Sequence, residues 1–272
     1  MDLRVLTWNL MHGRSVPGSG RDLLGAFAAA LGSWEWDVAL LQEVPPWWPP
    51  ALGRELEAQA RWVLTSRNAG LAVRRAIAVR FPDLIKSHGG GANAILVRPP
   101  WSILEHRRLR LRTWPERRVL HAVRLASGPW VANLHASVDP RAAASEAGRA
   151  ASAVRAWAAG SPAVLGGDFN VRDLSLAGFA RVAASEIDYV FAAAGLRAGG
   201  SPVVLERDRL SDHAPLAVGV AMPAARPGRE PARRSPAARS SPTPRRTAER
   251  GHTRSRAGSP ARARRPRSAP PE

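Results

Sequence analysis

The chain of 272 residues contains no cysteine. Disulfides and thiolate metal sites are therefore excluded. No apolar run is long enough to span a bilayer. The N-terminus enters an apolar strand pattern at once (Leu3, Val5, Leu6) and lacks the basic stretch and long apolar segment of a cleavable signal, so a cytoplasmic location is expected. Internal repeats at a fixed period are also missing. Beyond Met222 large apolar side chains almost vanish, leaving Arg, Pro, Ser, Ala and Gly. Such a segment cannot bury enough apolar surface to offset its ordering entropy, so residues 223–272 are predicted to be a disordered basic tail. Residues 1–222 suffice for one catalytic-sized domain with a sizeable core. Acidic residues are scarce too: 22 Asp and Glu face 40 Lys and Arg, a net charge of +18. The tail's 14 Arg and 3 Glu carry +11 of this, leaving +7 on residues 1–222. A polyanion is the natural partner of such a tail, either nucleic acid or an anionic membrane surface. A solvated extension without a specific partner fits the same composition.

What is present is a series of short apolar runs that end in polar groups. Leu3 to Asn9 reads as a first strand, followed by a Gly/Ser/Pro loop. Asp22 to Leu31 reads as a helix with an acid at its start. Asp37 to Val44 is a buried strand stopped by Pro45 and Pro46. Ala51 to Ala60 reads as a helix. The middle is strand-rich: Ala76 to Val79, Ala94 to Val97, Ile103 to Leu109, Val119 to Leu125 and Trp130 to Leu134, with Gly and Pro punctuation between them. Arg141 to Ala159 is a long Ala-rich helix. Ala163-Val164-Leu165 is a buried strand, after which Gly166 and Gly167 are expected to turn the backbone tightly. Leu174 to Ala183 is read as a short helix, and Ile187 to Phe191 and Leu216 to Val220 as the last strands. Many strands with few helices predict an α+β layered fold.

The polar groups at the strand ends are of one chemical kind. Glu43, Asp168 and Asp212 each close an apolar run. Brought together they would form a self-repelling anionic pocket suited to a divalent cation, which takes oxygen ligands. Asp188 lies inside an apolar run, where an unpaired carboxylate is costly. His213 is the candidate partner, able to carry positive charge. Taken singly, each position has a plainer reading. Asp168 and Asn170 fit a turn, Glu43 a strand terminator, Asn9 a strand-end turn, His135 a core histidine, and Asp212 a cap. Five such clusters, all at strand ends, are harder to explain that way.

The ordered series Trp8-Asn9, Gln42-Glu43, Asn133-Leu134-His135, Gly167-Asp168-Phe169-Asn170, Ile187-Asp188-Tyr189 and Ser211-Asp212-His213-Ala214-Pro215 resembles the endonuclease/exonuclease/phosphatase superfamily of deoxyribonuclease I-like phosphoesterases. The resemblance runs from about Leu3 to Val220. It implies a four-layer α/β/β/α sandwich, two packed and mostly antiparallel sheets flanked by helices, with the site at one end. It also implies that Asn9 and Glu43 help hold the metal, with Asp212 completing its shell. The ion implied is Mg²⁺, with Mn²⁺ as an alternative. Asp168 would orient and deprotonate the attacking water, and Asn170 would steady the water or the phosphate. His213, oriented by Asp188, and His135 would contact the phosphate, and Glu116 would orient His135. One departure stands out: Met11 occupies a position that is acidic in apurinic endonucleases. His12 beside it has no assigned role.

The expected activity is metal-dependent hydrolysis of phosphoester bonds by a carboxylate-activated water, with nucleic acid as substrate because the domain and tail are both basic. A phospholipid headgroup or small phosphate ester is the alternative, for which Trp47 and Trp48 would be an interfacial loop. A non-catalytic binding protein of the same fold is the third reading.

Overall fold

The computed structural model describes residues 2–222, apart from 67 and 127. The tail predicted over 223–272 lies outside the described residues. The strands and helices in chain order are β1 (Asp2–Asn9), α1 (Leu24–Ser33), β2 (Val38–Val44), α2 (Trp48–Glu55), β3 (Gln59–Leu64), α3 (Leu71–Arg80), α4 (Pro82–Ile85), β4 (Ala92–Val97), β5 (Ile103–Arg112), β6 (Arg118–Leu125), β7 (Trp130–His135), α5 (Pro140–Ala158), β8 (Ala163–Asp168), β9 (Ala180–Ser185), β10 (Asp188–Ala193), β11 (Arg197–Ala198), β12 (Val203–Val204) and β13 (Leu216–Ala221). They form two sheets, one ordered β11-β13-β1-β2-β4-β3 with β12 also on β13, the other β5-β6-β7-β8-β10-β9. Together with the flanking helices this is the predicted sandwich.

Three apolar layers hold the four structural layers together. Leu3, Val5, Leu40 and Ile95 of the first sheet meet Val123, Val131, Val164 and Val190 of the second. Phe27, Leu31, Trp48 and Leu52 of α1 and α2 cover the outer face of the first sheet through Leu6, Trp8 and Leu41. On α5, Ala143, Ala147, Ala150, Ala151, Val154 and Ala158 recur at helical spacing and cover Leu134, Leu165 and Phe169. The small side chains let the helix lie close to the sheet. Asp139 caps α5 by accepting from the Ala142 amide at 2.8 Å, and Pro140 occupies the first turn, where no amide partner is needed.

The topology decides where the polar groups go. Two strand pairs are parallel, β1 with β2 and β7 with β8. Each brings two carboxyl ends to the same rim, with Asn9 opposite Gln42 and His135 opposite Asp168. The antiparallel strand β10 starts where β8 ends, so Asp188 faces Asp168. β13 runs antiparallel to β1 and pairs Leu216 with Thr7, which places the preceding Ser211–Pro215 segment at that rim as well.

Several sequence expectations are corrected. Ala76–Val79 is not a strand but the end of α3, which starts after the left-handed Gly70. A short Val/Ile run fits either state until length and partners decide, and here it continues the helix that begins at Leu71. Leu174–Ala183 is not a helix. Leu174 and Leu176 are buried loop residues, and Ala180–Ser185 is recruited as β9 by pairing with β10. The helix expected over 51–60 begins at Trp48, with prolines in its first turn, and ends at Glu55, and β3 follows at Gln59. Trp48 packs on Phe27, with ring centroids 5.4 Å apart, in the core and not in an interfacial loop. Gly166 and Gly167 do not make a turn but continue β8. They are required by close approach: a Cβ on Gly167 would lie 1.9 Å from the Leu134 carbonyl oxygen, and its φ is +139°.

Candidate active site

Behind the rim the two sheets are bolted together by side-chain amides. Gln42 Nε2 donates to Asn133 Oδ1 at 2.7 Å and to Thr7 Oγ1 at 3.1 Å. Asn133 Nδ2 donates to the Leu41 and Ala94 carbonyls, both at 2.9 Å. These groups are fully buried, so the bonds fix one register between the sheets. Gln42 and Asn133 therefore act behind the reactive groups, holding the neighbouring Glu43 and His135 in place.

At the rim, acids and imidazoles alternate. Glu43 Oε2 lies 3.2 Å from His12 Nε2, and Glu43 Oε1 lies 3.7 Å from His135 Nε2. His135 Nε2 is 3.6 Å from Asp168 Oδ2, which is 3.8 Å from His213 Nε2. His213 Nδ1 then meets Asp188 Oδ2 at 2.8 Å. Residues far apart in sequence thus form one continuous line: His12, Glu43, His135, Asp168, His213 and Asp188.

Each member is held from outside the line. Asn9 Nδ2 donates to Asp168 Oδ2 at 2.9 Å, and the Asn170 amide donates to Asp168 Oδ1 at 3.0 Å. Asn170 has a φ of 52°, a left-handed conformation that Asn tolerates, and its Nδ2 donates to the Ala136 carbonyl at 3.1 Å. Asn9 Oδ1 accepts from the Met11 amide at 2.9 Å. Ser211 Oγ donates to the Asn9 carbonyl at 2.6 Å and accepts from the His213 amide at 3.1 Å. Trp8 Nε1 donates to the His213 carbonyl at 2.9 Å. The Ser-Asp-His turn is thus anchored to β1 by two side chains.

The electrostatics separate the two histidines. Burial alone would lower the His213 pKa, but the hydrogen bond and charge of Asp188, with Asp168 and Asp212 behind it, raise it to about 9. His213 is an imidazolium at neutral pH. His135 is driven well below its ordinary value by burial, then by the charges of Arg118, His12 and His213. It is neutral, in contrast to His213. Asp168 is pushed up to about 7 by burial and by Asp188, against the lowering effects of His213, Asn9 and the Asn170 amide. Burial also raises Asp188, whose Oδ1 is buried without a hydrogen-bond partner among the described residues.

The donor set fits a divalent cation. Glu43 and Asp168 flank an imidazole that carries no compensating charge, and both offer carboxylate oxygens to the rim. Asp168, Asp188 and His213 also place one ligand atom each within 4.8 Å of one another. There, however, the His213 proton already offsets the acids. Asp212 is exposed, with Ser211 Oγ 3.4 Å from its Oδ1. Glu116 pairs with Arg118 at 2.6 Å and lines the same concavity as Glu43 and His135. A roomier concavity of about 560 Å³ beside α5 contains neither an acid nor a histidine.

His12 is the member of the line without a predicted role. It sits in the loop after β1, with a φ of 55° and Nδ1 3.2 Å from the Gly90 carbonyl. An imidazole three residues past a polar strand end is the signal in the sequence, but nothing there names Glu43 as its partner.

The family model described as "Endonuclease/Exonuclease/phosphatase family" matches residues 6–213. No curated protein matches the chain at a significant level. Among solved structures, the chain is similar to an endonuclease/exonuclease/phosphatase from Bacteroides vulgatus (17% identity, 82% of this chain and 100% of that one, TM-score 0.63). It is also similar to a mannosyl-6-phosphatase from Bacteroides thetaiotaomicron (18%, 81% and 100%, TM-score 0.61). A third is a truncated Caenorhabditis elegans TDP2 (18%, 81% and 98%, TM-score 0.59). Identities this low speak for the fold alone.

Proposed function

Because the chain belongs to the endonuclease/exonuclease/phosphatase family, whose members hydrolyse phosphoester bonds, we propose that it is a divalent-metal-dependent phosphodiesterase acting on nucleic acid. One observation carries this reading: acids and imidazoles from six separate stretches of sequence meet in a single line at the rim.

Asp168 is the base. Its carboxylate, held by Asn9 and the Asn170 amide, takes a proton from water. A raised pKa makes it a stronger base than a surface carboxylate. His213, cationic and oriented by Asp188, faces the phosphate and stabilises the charge that develops on it. His135 is neutral and offers Nε2 to the same phosphate as a hydrogen-bond partner. Glu43 would be the principal cation ligand, with Asn9 and Asp212 as further donors. Mg²⁺ or Mn²⁺ bound there supplies positive charge to the phosphate oxygens. His12 orients Glu43 and Asn170 steadies the water.

A panel of plasmid DNA, RNA, phospholipid and small phosphate esters, assayed with Mg²⁺, Mn²⁺ and chelator, tests the reading. Hydrolysis of nucleic acid that chelator abolishes is expected, and chelator-resistant turnover refutes the metal's part. Glu43→Gln is expected to raise the Mg²⁺ concentration for half-maximal activity by about tenfold or more. An unchanged Mg²⁺ requirement would move the ligand role elsewhere.

The pH profile follows from the two shifted groups. Activity needs Asp168 deprotonated and His213 protonated. kcat/KM should therefore rise as pH approaches about 7 and fall beyond about 9. A cation bound beside Asp168 would move the acid limb lower. Asp188→Asn removes the group that raises His213, so the alkaline limb should move down. A flat profile from pH 6 to 10, or an alkaline limb indifferent to Asp188→Asn, contradicts the assignment.

One feature favours the phospholipid alternative. α3 buries no residue, exposes Val73 and Ile77 on one face, and carries Arg74, Arg75 and Arg80. A basic helix with apolar residues exposed suits an anionic lipid surface. Among the described residues no helix is long and apolar enough to cross a membrane.

A further inference from the structure

β3 and β5 are the edge strands of their sheets, and β3 packs over β5 and β6 on the same side of the sandwich. Between them lies a groove of about 490 Å³ lined by Trp62, Val63, Leu64, Arg108, Arg110, Arg117 and Val119. It contains three guanidinium groups and no acid. On β5, Arg107 and Arg112 are paired with Glu105 and Glu146. Arg108 and Arg110 are exposed and form no ion pair among the described residues. They alternate along the strand, so their Cα atoms are roughly 7 Å apart on one face. That spacing lets each take a separate phosphate. Trp62 keeps 39% of its surface exposed beside them.

The groove is joined to the active site by Arg117, which lines both it and the concavity of His12, Glu43 and His135. Arg117 is tied down by Nε donating to the Thr65 carbonyl at 3.0 Å and by its amide donating to Ser66 Oγ. The connection is therefore a fixed one. Edge strands carry charge to prevent pairing between sheets. That purpose requires neither a single sign of charge nor an exposed tryptophan alongside.

We infer that this groove binds a single-stranded nucleic acid beyond the bond being cut, with phosphates on Arg108, Arg110 and Arg117 and an unstacked base on Trp62. Stacking on an aromatic face selects single strands, because duplex bases are already stacked. The inference rests on the proposed phosphodiesterase activity and names the form of its substrate.

The test compares a twelve-residue single-stranded oligonucleotide with bis(p-nitrophenyl) phosphate, using the full chain and the variants Arg108→Ala/Arg110→Ala and Trp62→Ala. kcat/KM for the oligonucleotide should fall about tenfold or more in either variant. The double arginine variant should also lower the salt dependence of binding, measured as the slope of log K against log salt, by about 1.4. Turnover of the small ester should stay within about twofold of wild type, since neither variant touches the line of reactive groups. An oligonucleotide rate unchanged by Arg108→Ala/Arg110→Ala, two solvent-facing changes that leave the core intact, overturns the inference. Equal losses on both substrates overturn it too. If the unaltered protein cleaves no nucleic acid, the proposed substrate falls, and anisotropy of the labelled oligonucleotide decides the groove separately. Binding lost in the variants upholds the groove; binding indifferent to them, or seen only on anionic vesicles, refutes it.

Discussion

Asp168→Asn is expected to cut kcat by ~10²–10⁴-fold while raising the melting temperature at pH 8. The two effects have one cause. The Asp168 carboxyl titrates at about 7 in the folded protein against an ordinary 3.8. Between those values the folded state holds a proton that the unfolded state has released. Stability therefore falls as pH rises through this window, and the full penalty applies above 7. Asn carries no charge to bury and escapes the penalty. Melting curves in chelator at pH 5 and pH 8 should show the variant's advantage growing by on the order of 5 °C. Retained turnover removes Asp168 from the chemistry. An advantage identical at both pH values removes the buried-charge account, whatever the activity.

His213→Ala should lower kcat/KM by ~10²–10³-fold, with the opposite effect on stability. His213 gains its proton affinity from Asp188 at 2.8 Å, so its folded value of about 9 exceeds the ordinary 6.5. The pair's contribution is complete below pH 6.5 and is lost as pH rises through 9. Removing the imidazole alone leaves a buried carboxylate unpaired, at a cost of roughly 3 kcal/mol near neutral pH. The double variant Asp188→Asn/His213→Ala should recover most of that stability and none of the activity. Chemical denaturation of the single and double variants, read beside their kinetics, separates the roles. A double variant no more stable than His213→Ala would mean that the pair is not the source of the loss.

The layered sandwich was legible in the sequence, and so were the strand-end acids and imidazoles that meet at its rim. Glu43, Asp168 and His213 stand out because an acid or imidazole at the end of an apolar run has few structural uses. The pairing of Asp188 with His213 follows from the cost of a carboxylate inside the run Ile187–Val190. The helix–strand ambiguity of 174–183 could not be resolved locally, since pairing of β9 with β10 decided it. The neutral state of His135 depends on burial by chain segments distant in sequence. The link between His12 and Glu43 depends on where the turn after β1 lands against the end of β2. The two glycines of β8 were visible but pointed to the wrong cause: Gly167 makes room for the Leu134 carbonyl and Gly166 for the Leu40 side chain, not for a turn. Arg108 and Arg110 read as an ordinary charged strand until sheet order placed them at an open edge beside β3.

The reactive line draws on both sheets, with Glu43 from one and His135, Asp168 and Asp188 from the other. The apolar layer between them is non-directional and does not by itself fix their alignment, which the Gln42–Asn133 bond pins. Val131 and Val164, which have no polar side-chain atom and touch no substrate, still set how the two sheets fit together. Residues of this kind are expected to affect turnover through fit alone, and a survey of charged groups would pass over them.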